Sequence, residues 1–230
     1  GDDHWGSNIN IIKNVTLRLA SGGYIGGGIY HSQNLEGALS TLPGARIVYP
    51  SFADDAAGLL RTSMRSKGFT LFLEPKALYN SLDAACVVPD DFEVPFGKAR
   101  IRRSGSDLTI ITYGNTTHLC LKVAERLAND KVANCEVIDL RSLIPLDKET
   151  IFESVKKTSK VLIVHEDKVF SGFGAELAAT IGTELFQHLD APIQRVGSVF
   201  TPVGFHPVLE KAILPDADRI YKAASDLLAY

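Results

Sequence analysis

The second half of the chain alternates strand-like and helix-like segments so regularly that few folds can accommodate it. Apolar runs rich in β-branched residues lie at 108–113, 133–140, 161–165 and 193–196. Helical patterns lie between and after these runs, at 116–129, 148–158, 175–189, 207–214 and 218–228. Strands separated by helices of about 10 to 15 residues predict βαβ units around a mainly parallel sheet with right-handed crossovers.

The first half contains fewer elements than a parallel sheet with two covered faces requires. Strand patterns lie at 14–19, 45–50 and 69–74, and helical patterns at 34–42 and 53–66. Ser51 is the expected N-cap of the second helix. Because so few elements cannot cover both faces of a parallel sheet, we expect an incomplete domain whose N-terminal strands are missing or come from another chain. The polar start at Gly1, without Met, indicates a cut.

A stretch without helical or strand periodicity separates the two halves of the sequence. Pro89, Pro95 and Gly97 interrupt any helical or strand period, and only residues 98–103 alternate. Such a stretch is typical of a linker. We therefore predict an incomplete α/β domain at 1–85, a linker at 86–103 and a complete α/β domain at 104–230.

Charge and composition exclude several classes of partner. Lys and Arg number 24 against 27 Asp and Glu, so no basic surplus exists for nucleic-acid binding. No run approaches the roughly 18 apolar residues of a membrane span. The three cysteines, Cys86, Cys120 and Cys135, are odd in number and form no CxxC motif. We expect reduced thiols buried as core residues, in a cytosol-like compartment.

A glycine-rich run leads into His31, the candidate catalytic residue. Counted from Gly26, a dinucleotide-binding GxGxxG motif would need glycine at position 31, which is His31. A Walker loop would need Lys after its last glycine, and none is there. It does allow positive φ and close backbone approach immediately before the imidazole. Ser32 and Gln33 are expected to fix the imidazole tautomer by hydrogen bonding. The alternative is a mobile connecting turn with a solvated histidine.

Two further segments are candidates for ligand binding. His165, Glu166 and Asp167 follow a predicted strand, at the edge where α/β sheets bind ligands. Residues 171–175 open the next helix, where free amides suit anions, although an ordinary strand-to-helix turn is the alternative. No HxxxH or HExxH spacing exists, so no metal site is predicted, and no GxSxG elbow is present.

Several strings of the sequence resemble the beta subunit of thiamine-diphosphate-dependent 2-oxo acid dehydrogenases, in the transketolase-like superfamily. They lie in order at 28–33, 43–51, 73–79, 105–110, 136–147, 172–176 and 189–193. The resemblance implies an α/β fold with part of a pyrimidine-binding transketolase-like domain, followed by a complete transketolase C-terminal domain with a mostly parallel sheet. Coverage extends from about Asn14 to the C-terminus.

The resemblance also implies an activity. In this family the decarboxylating component releases CO₂ from a 2-oxo acid on thiamine diphosphate and passes the acyl group to a lipoyl acyltransferase. His31 would face the thiazolium across a subunit interface, with Tyr30, Ser32 and Gln33 in the vicinity of substrate or cofactor. The implied partners are the alpha part of the enzyme, dihydrolipoyl acyltransferase and a second copy bound through the C-terminal domain. The implied location is the cytoplasm, or the mitochondrial matrix in a eukaryote.

Departures from the family pattern matter for the cofactor. The glutamate that protonates the aminopyrimidine and the Gly-Asp-Gly motif for the diphosphate and Mg²⁺ have no counterpart here. Thiamine diphosphate and Mg²⁺ are therefore expected only in the complete assembly. Ser66 and Gly68 stand where the family has acidic and amide potassium ligands, which puts a K⁺ site in doubt.

The alternatives to a dehydrogenase component are a non-catalytic dimerisation and acyltransferase-docking module, or a transketolase or deoxyxylulose-phosphate synthase relative.

Overall fold

The computed structural model describes residues 14–230, so the polar start of the chain lies outside the described range. The strands are β1 (Asn14–Ser21), β2 (Ala45–Val48), β3 (Gly68–Pro75), β4 (Arg100–Arg103), β5 (Leu108–Thr112), β6 (Cys135–Asp139), β7 (Ser142–Ile144), β8 (Val161–Lys168) and β9 (Gln194–Ser198). The helices are α1 (Gly28–His31), α2 (Glu36–Leu39), α3 (Ala53–Arg65), α4 (Thr116–Asn129), α5 (Lys148–Thr158), α6 (Phe173–Leu185), α7 (Pro207–Ile213) and α8 (Ala217–Leu228).

The second half forms the mainly parallel sheet that its alternating pattern predicts. Its strand order is β4-β6-β5-β8-β9, with every pair parallel except β4 with β6. The central strands β5, β6 and β8 are almost entirely buried because helices cover both faces. The antiparallel edge strand β4 comes from the end of the segment expected to be a linker.

The first half forms a smaller sheet to which the second half adds one edge strand. Strands β1, β3 and β2 are parallel, and β7 of the second half pairs antiparallel with β2. Helix α3 covers one face, where Leu59 packs with Val48 and Phe72. On the other face Ile47 and Leu71 join the same apolar core as Ile138 of the large sheet. The two halves therefore share a continuous core.

A buried ion network also joins the halves. Asp55 of α3 is fully buried and accepts hydrogen bonds from Arg102 of β4 and from Arg141, the latter at 2.8 Å. Arg102 also donates to Asp139 of β6 at 2.8 Å. Each side chain of this network has a partner of opposite charge. These ion pairs offset the cost of removing the charges from water where the two halves meet.

Three local predictions are wrong in informative ways. Ser51 is not the N-cap of α3: Phe52 occupies that position, and the Ser51 hydroxyl instead donates to Asp139 at 2.9 Å. The helix expected at 34–42 spans only Glu36–Leu39. Cys120 and Cys135 are buried as expected, but Cys86 is exposed in the irregular segment after residue 80.

Candidate functional site

His31 ends α1, a single helical turn directly after the glycine run. Its side chain is exposed, and no hydrogen bond within residues 14–230 holds the imidazole. The neighbouring Tyr30 is 85% exposed, and Ile29 is also exposed. The chain thus presents an imidazole and a phenol together on an outward, partly apolar surface.

The side chains of Ser32 and Gln33 do not fix the imidazole tautomer, so that expectation is wrong. Ser32 is fully buried and its hydroxyl has no hydrogen-bond partner among the described residues. Gln33 donates to the Ile29 carbonyl at 3.1 Å and accepts from the Lys168 ammonium at 2.8 Å. Gln33 therefore ties the turn of α1 to β8 and leaves the imidazole free.

Carboxylates of the second half bind the backbone amides of the glycine run. The N–H of Gly23 donates to Glu166 of β8. The N–H groups of Ile25 and Gly26 both donate to Oε1 of Glu210 in α7 at 3.2 Å, and the Gly26 N–H also donates to Oε2 at 3.3 Å. These amides already have internal anionic partners, which agrees with the absence of a phosphate-loop spacing in the sequence.

The carboxyl end of β8 lies against the same segment. The strand runs to Lys168, three residues beyond its predicted end. Asp167 accepts the Gly37 N–H of α2 at 3.1 Å and also the N–H of Phe173, the first residue of α6. Asp167 thus accepts a backbone N–H at the N-terminus of α6, where the segment 171–175 forms an ordinary strand-to-helix turn.

Burial makes the carboxyl groups behind this segment weak acids. Glu36 is fully buried; one of its oxygens accepts from Tyr113 at 3.2 Å, and the other has no partner in the described part of the chain. Burial, with the nearby charge of Asp167, raises the pKa of Glu36 to about 8. Burial likewise raises the pKa of Glu166 to about 7. Both groups can therefore hold protons near neutral pH.

His165, the other candidate histidine, lies inside the protein. Neither ring nitrogen has a hydrogen-bond partner among residues 14–230, and burial lowers the pKa of the imidazole to about 4. The ring stacks on Tyr113, with centroids 6.4 Å apart, and a Cβ at Gly174 would overlap it. His165 is thus a neutral core residue at the junction and is not placed to meet a ligand.

The described residues do not fit a complete thiamine diphosphate site. Within 14–230, no group of three His, Cys, Asp or Glu side chains is arranged to hold a metal ion. Mg²⁺ on a diphosphate needs one or two protein carboxylates, but the carboxylates Glu166, Asp167 and Glu210 of this region already accept backbone N–H groups. No helix of the same range is long and apolar enough to cross a membrane.

Two α/β units that share a core, with an exposed histidine turn at their junction, define a transketolase-like chain. Residues 5–81 match the model of the transketolase pyrimidine binding domain, and residues 97–220 match that of the transketolase C-terminal domain. The chain therefore belongs to the transketolase family. This confirms both the resemblance in the sequence and the predicted fold class.

Similar proteins are named as dehydrogenase subunits. The 2-oxoisovalerate dehydrogenase subunit beta of Bacillus subtilis is 39% identical over 217 residues, covering 94% of this chain and 66% of the relative. The pyruvate dehydrogenase E1 component subunit beta of Rickettsia felis is 42% identical over 202 residues, covering 87% and 60%. The chain spans 60 to 66% of the length of these two relatives.

Two more similarities help to delimit the assignment. An acetoin:2,6-dichlorophenolindophenol oxidoreductase subunit beta of Bacillus subtilis is 36% identical over 215 residues, covering 93% of this chain and 62% of the relative. A solved split gene transketolase, described as an inactive beta4 tetramer, superposes with a TM-score of 0.74. It is 22% identical and covers 94% of this chain and 66% of that one, which shows likeness of fold alone.

Proposed function

We propose that this chain is part of the decarboxylating component of a 2-oxo acid dehydrogenase, of the pyruvate or branched-chain type. The component releases CO₂ from the 2-oxo acid and transfers the acyl group to a lipoyl acyltransferase. The observation that carries the proposal is the exposed His31–Tyr30 pair on a turn whose backbone is bound by the rest of the chain. The named relatives at about 40% identity support the reaction class.

His31 is the proposed catalytic residue. An exposed imidazole that makes no hydrogen bond within 14–230 can bind a substrate carboxylate or supply a proton to a lipoyl sulfur. Tyr30 is available to contact substrate or cofactor on the same surface. Ser32 and Gln33 lie behind this pair, and their proposed role is to hold the turn.

The proposal includes partners that complete the site. Thiamine diphosphate and Mg²⁺ would be bound only when the alpha part of the enzyme joins this chain. Dihydrolipoyl acyltransferase and a second copy of the chain, bound through residues 104–230, are the other proposed partners. The domain boundaries at 85 and 103 and a cytoplasmic or mitochondrial-matrix location belong to the same proposal.

The test is the reaction of the complete enzyme. The full-length polypeptide is produced with its alpha partner and supplied with lipoyl acyltransferase, thiamine diphosphate and Mg²⁺. We expect acyl transfer to the lipoyl group with pyruvate or a branched-chain 2-oxo acid. Ketol transfer between sugar phosphates, without turnover of any 2-oxo acid, would overturn the proposal in favour of a transketolase.

A further inference from the structure

Three consecutive residues at the end of β8 each bind a different part of the segment that carries His31. Glu166 accepts the Gly23 N–H at the start of that segment, which we define as residues 22–37. Lys168 donates to the Gln33 side chain at 2.8 Å, in the middle. Asp167 accepts the Gly37 N–H at 3.1 Å, at the end.

Burial makes the hydrogen bonds of two of these side chains with the segment 22–37 important for stability. Glu166 and Asp167 are buried, and a buried carboxyl is costly unless it accepts hydrogen bonds. For Glu166 the described backbone donor is the Gly23 N–H, 143 residues earlier in the chain. For Asp167 one oxygen accepts the N–H of Lys168 at 2.8 Å and the other accepts that of Gly37. The segment 22–37 therefore supplies the described backbone hydrogen bond of Glu166 and one of the hydrogen bonds of Asp167.

Further hydrogen bonds, within the segment 22–37 and to Glu210 and Pro215, hold the segment in place. The Gly22 N–H donates to the Gln33 carbonyl at 3.1 Å and closes the segment into a loop around α1. Glu210 and the carbonyl of Pro215, which accepts from the Tyr24 hydroxyl at 2.6 Å, bind its glycine-rich part. His31 lies on the outer side of this loop, exposed, while the contacts with β8 lie on the inner side.

We infer that Glu166, Asp167 and Lys168 are positioning residues for His31. This rests on the proposed function of His31. Because they bind the start, middle and end of the loop, they fix where the imidazole stands relative to a bound substrate. Loss of one contact should allow the loop to move and lower the rate of the step in which His31 takes part.

The two carboxyls give different expectations for amide variants. A single oxygen of Glu166 accepts the described amide, so Glu166→Gln can retain that hydrogen bond while Glu166→Ala removes it. Both oxygens of Asp167 accept N–H groups, so an amide nitrogen in Asp167→Asn must face a donor. We therefore expect rescue by the amide at 166 and none at 167.

The experiment measures loop exchange and turnover in the same assembled enzyme. Wild type, Glu166→Ala, Glu166→Gln, Asp167→Asn and Lys168→Met are produced with the alpha partner, with the exposed Glu153→Ala and Lys156→Met as matched controls. Hydrogen exchange of peptides within 22–37 is followed by mass spectrometry, with peptides of α4 as the reference. Acyl transfer gives kcat and KM.

The positioning role predicts a specific pattern. Exchange within 22–37 should quicken about tenfold or more in Glu166→Ala and Asp167→Asn, because each loses an acceptor for a backbone N–H of the segment. The kcat for acyl transfer should fall by about tenfold or more in the same two variants, less in Lys168→Met, and little in Glu166→Gln. The reference peptides of α4 and both control variants should match wild type.

Each other outcome separates this inference from the proposed function. Unchanged exchange in Glu166→Ala and Asp167→Asn would overturn the positioning role. Faster exchange with unchanged kcat, while His31→Ala inactivates the enzyme, would overturn it too, since a mobile loop would then suffice. Unchanged kcat in His31→Ala would instead contradict the proposed function of His31, whatever the exchange result.

Discussion

Glu36 shows how strongly one residue can depend on neighbours far away in the sequence. Its carboxyl is enclosed by Tyr113, Asn34 and the acidic pair at the end of β8. Burial, reinforced by Asp167, raises its pKa from 4.5 to about 8. No local pattern around Glu36 indicates this, because the groups responsible lie on other elements.

The raised pKa of Glu36 predicts that stability falls between pH 6.5 and 8. The folded state retains a proton that the unfolded state has released, so the free energy of unfolding decreases as pH rises through this window. The lowered pKa of His165 has the opposite effect, but only below its ordinary value of 6.5. We expect a loss of about 1 to 2 kcal/mol across the window, measured by urea unfolding.

Glu36→Gln is the matched control for this pH dependence. The amide cannot ionise, so the variant should lose less stability over the same window than wild type does. The pKa of Glu166, raised to about 7, accounts for the remaining slope. An identical slope in wild type and variant would show that Glu36 does not carry the effect.

At the scale of elements, long amphipathic helices could be predicted and short junction elements could not. The predicted bounds of α4 and α5 equal the observed ones, because 14 and 11 residues display a full helical period. Strand β7 has three residues and exists through pairing with β2, nearly a hundred positions away. The polar end of β8 resembles a loop in sequence because its partners belong to the segment 22–37.

The same distinction applies to the candidate site. His31 could be identified from its glycine-rich surroundings and from family resemblance. The residues that hold its loop could be found only in part. The sequence offers 165–167 as candidates for ligand binding, yet Glu166 and Asp167 bind backbone amides of the chain itself and His165 lies in the core. Glu210 carried no local signal, because its role depends on α7 lying beside Ile25 and Gly26.

The ion network between α3, β4 and β6 predicts unequal effects for two adjacent aspartates. Asp55 is fully buried against Arg102 and Arg141, so Asp55→Ala leaves Arg141 without its carboxylate and Arg102 with Asp139 alone. We expect a loss of about 3 to 5 kcal/mol of unfolding free energy. Asp54 pairs with the half-exposed Arg100, and Asp54→Ala should cost about 1 kcal/mol or less.

Urea denaturation of both variants at one pH checks this expectation. Equal losses at the two positions would contradict it, since they would mean that the junction does not depend on the buried network. A broad or two-step transition in Asp55→Ala alone would support the role of the network in coupling the two halves.

At the scale of the whole molecule, one core serves both halves while large apolar side chains remain exposed. The aromatic pair Phe170 and Phe200 is 66% and 69% exposed, with ring centroids 4.8 Å apart. In the first half, Leu82 is 89% exposed. Exposed aromatic residues of this size are typical of protein interfaces.

The proposed dimer through residues 104–230 predicts that the aromatic pair contributes to self-association. We expect wild type to sediment as a dimer and Phe170→Ser/Phe200→Ser to dissociate at a concentration at least about tenfold higher. Leu82→Ser, in the first half, is the control and should leave the dimer unchanged. If the double variant associates as wild type does, Phe170 and Phe200 do not lie in the dimer interface.

The most direct test of the central claim is the rate of acyl transfer by His31→Ala in the complete enzyme with its alpha partner and a lipoyl acceptor. His31 is exposed and its imidazole makes no hydrogen bond with the residues that the structure describes, so the substitution should leave the fold intact. We predict that kcat falls by about 100-fold or more, while the control His188→Ala retains wild-type turnover. Near-normal acyl transfer by His31→Ala would contradict the account and leave this chain as a dimerisation and docking module.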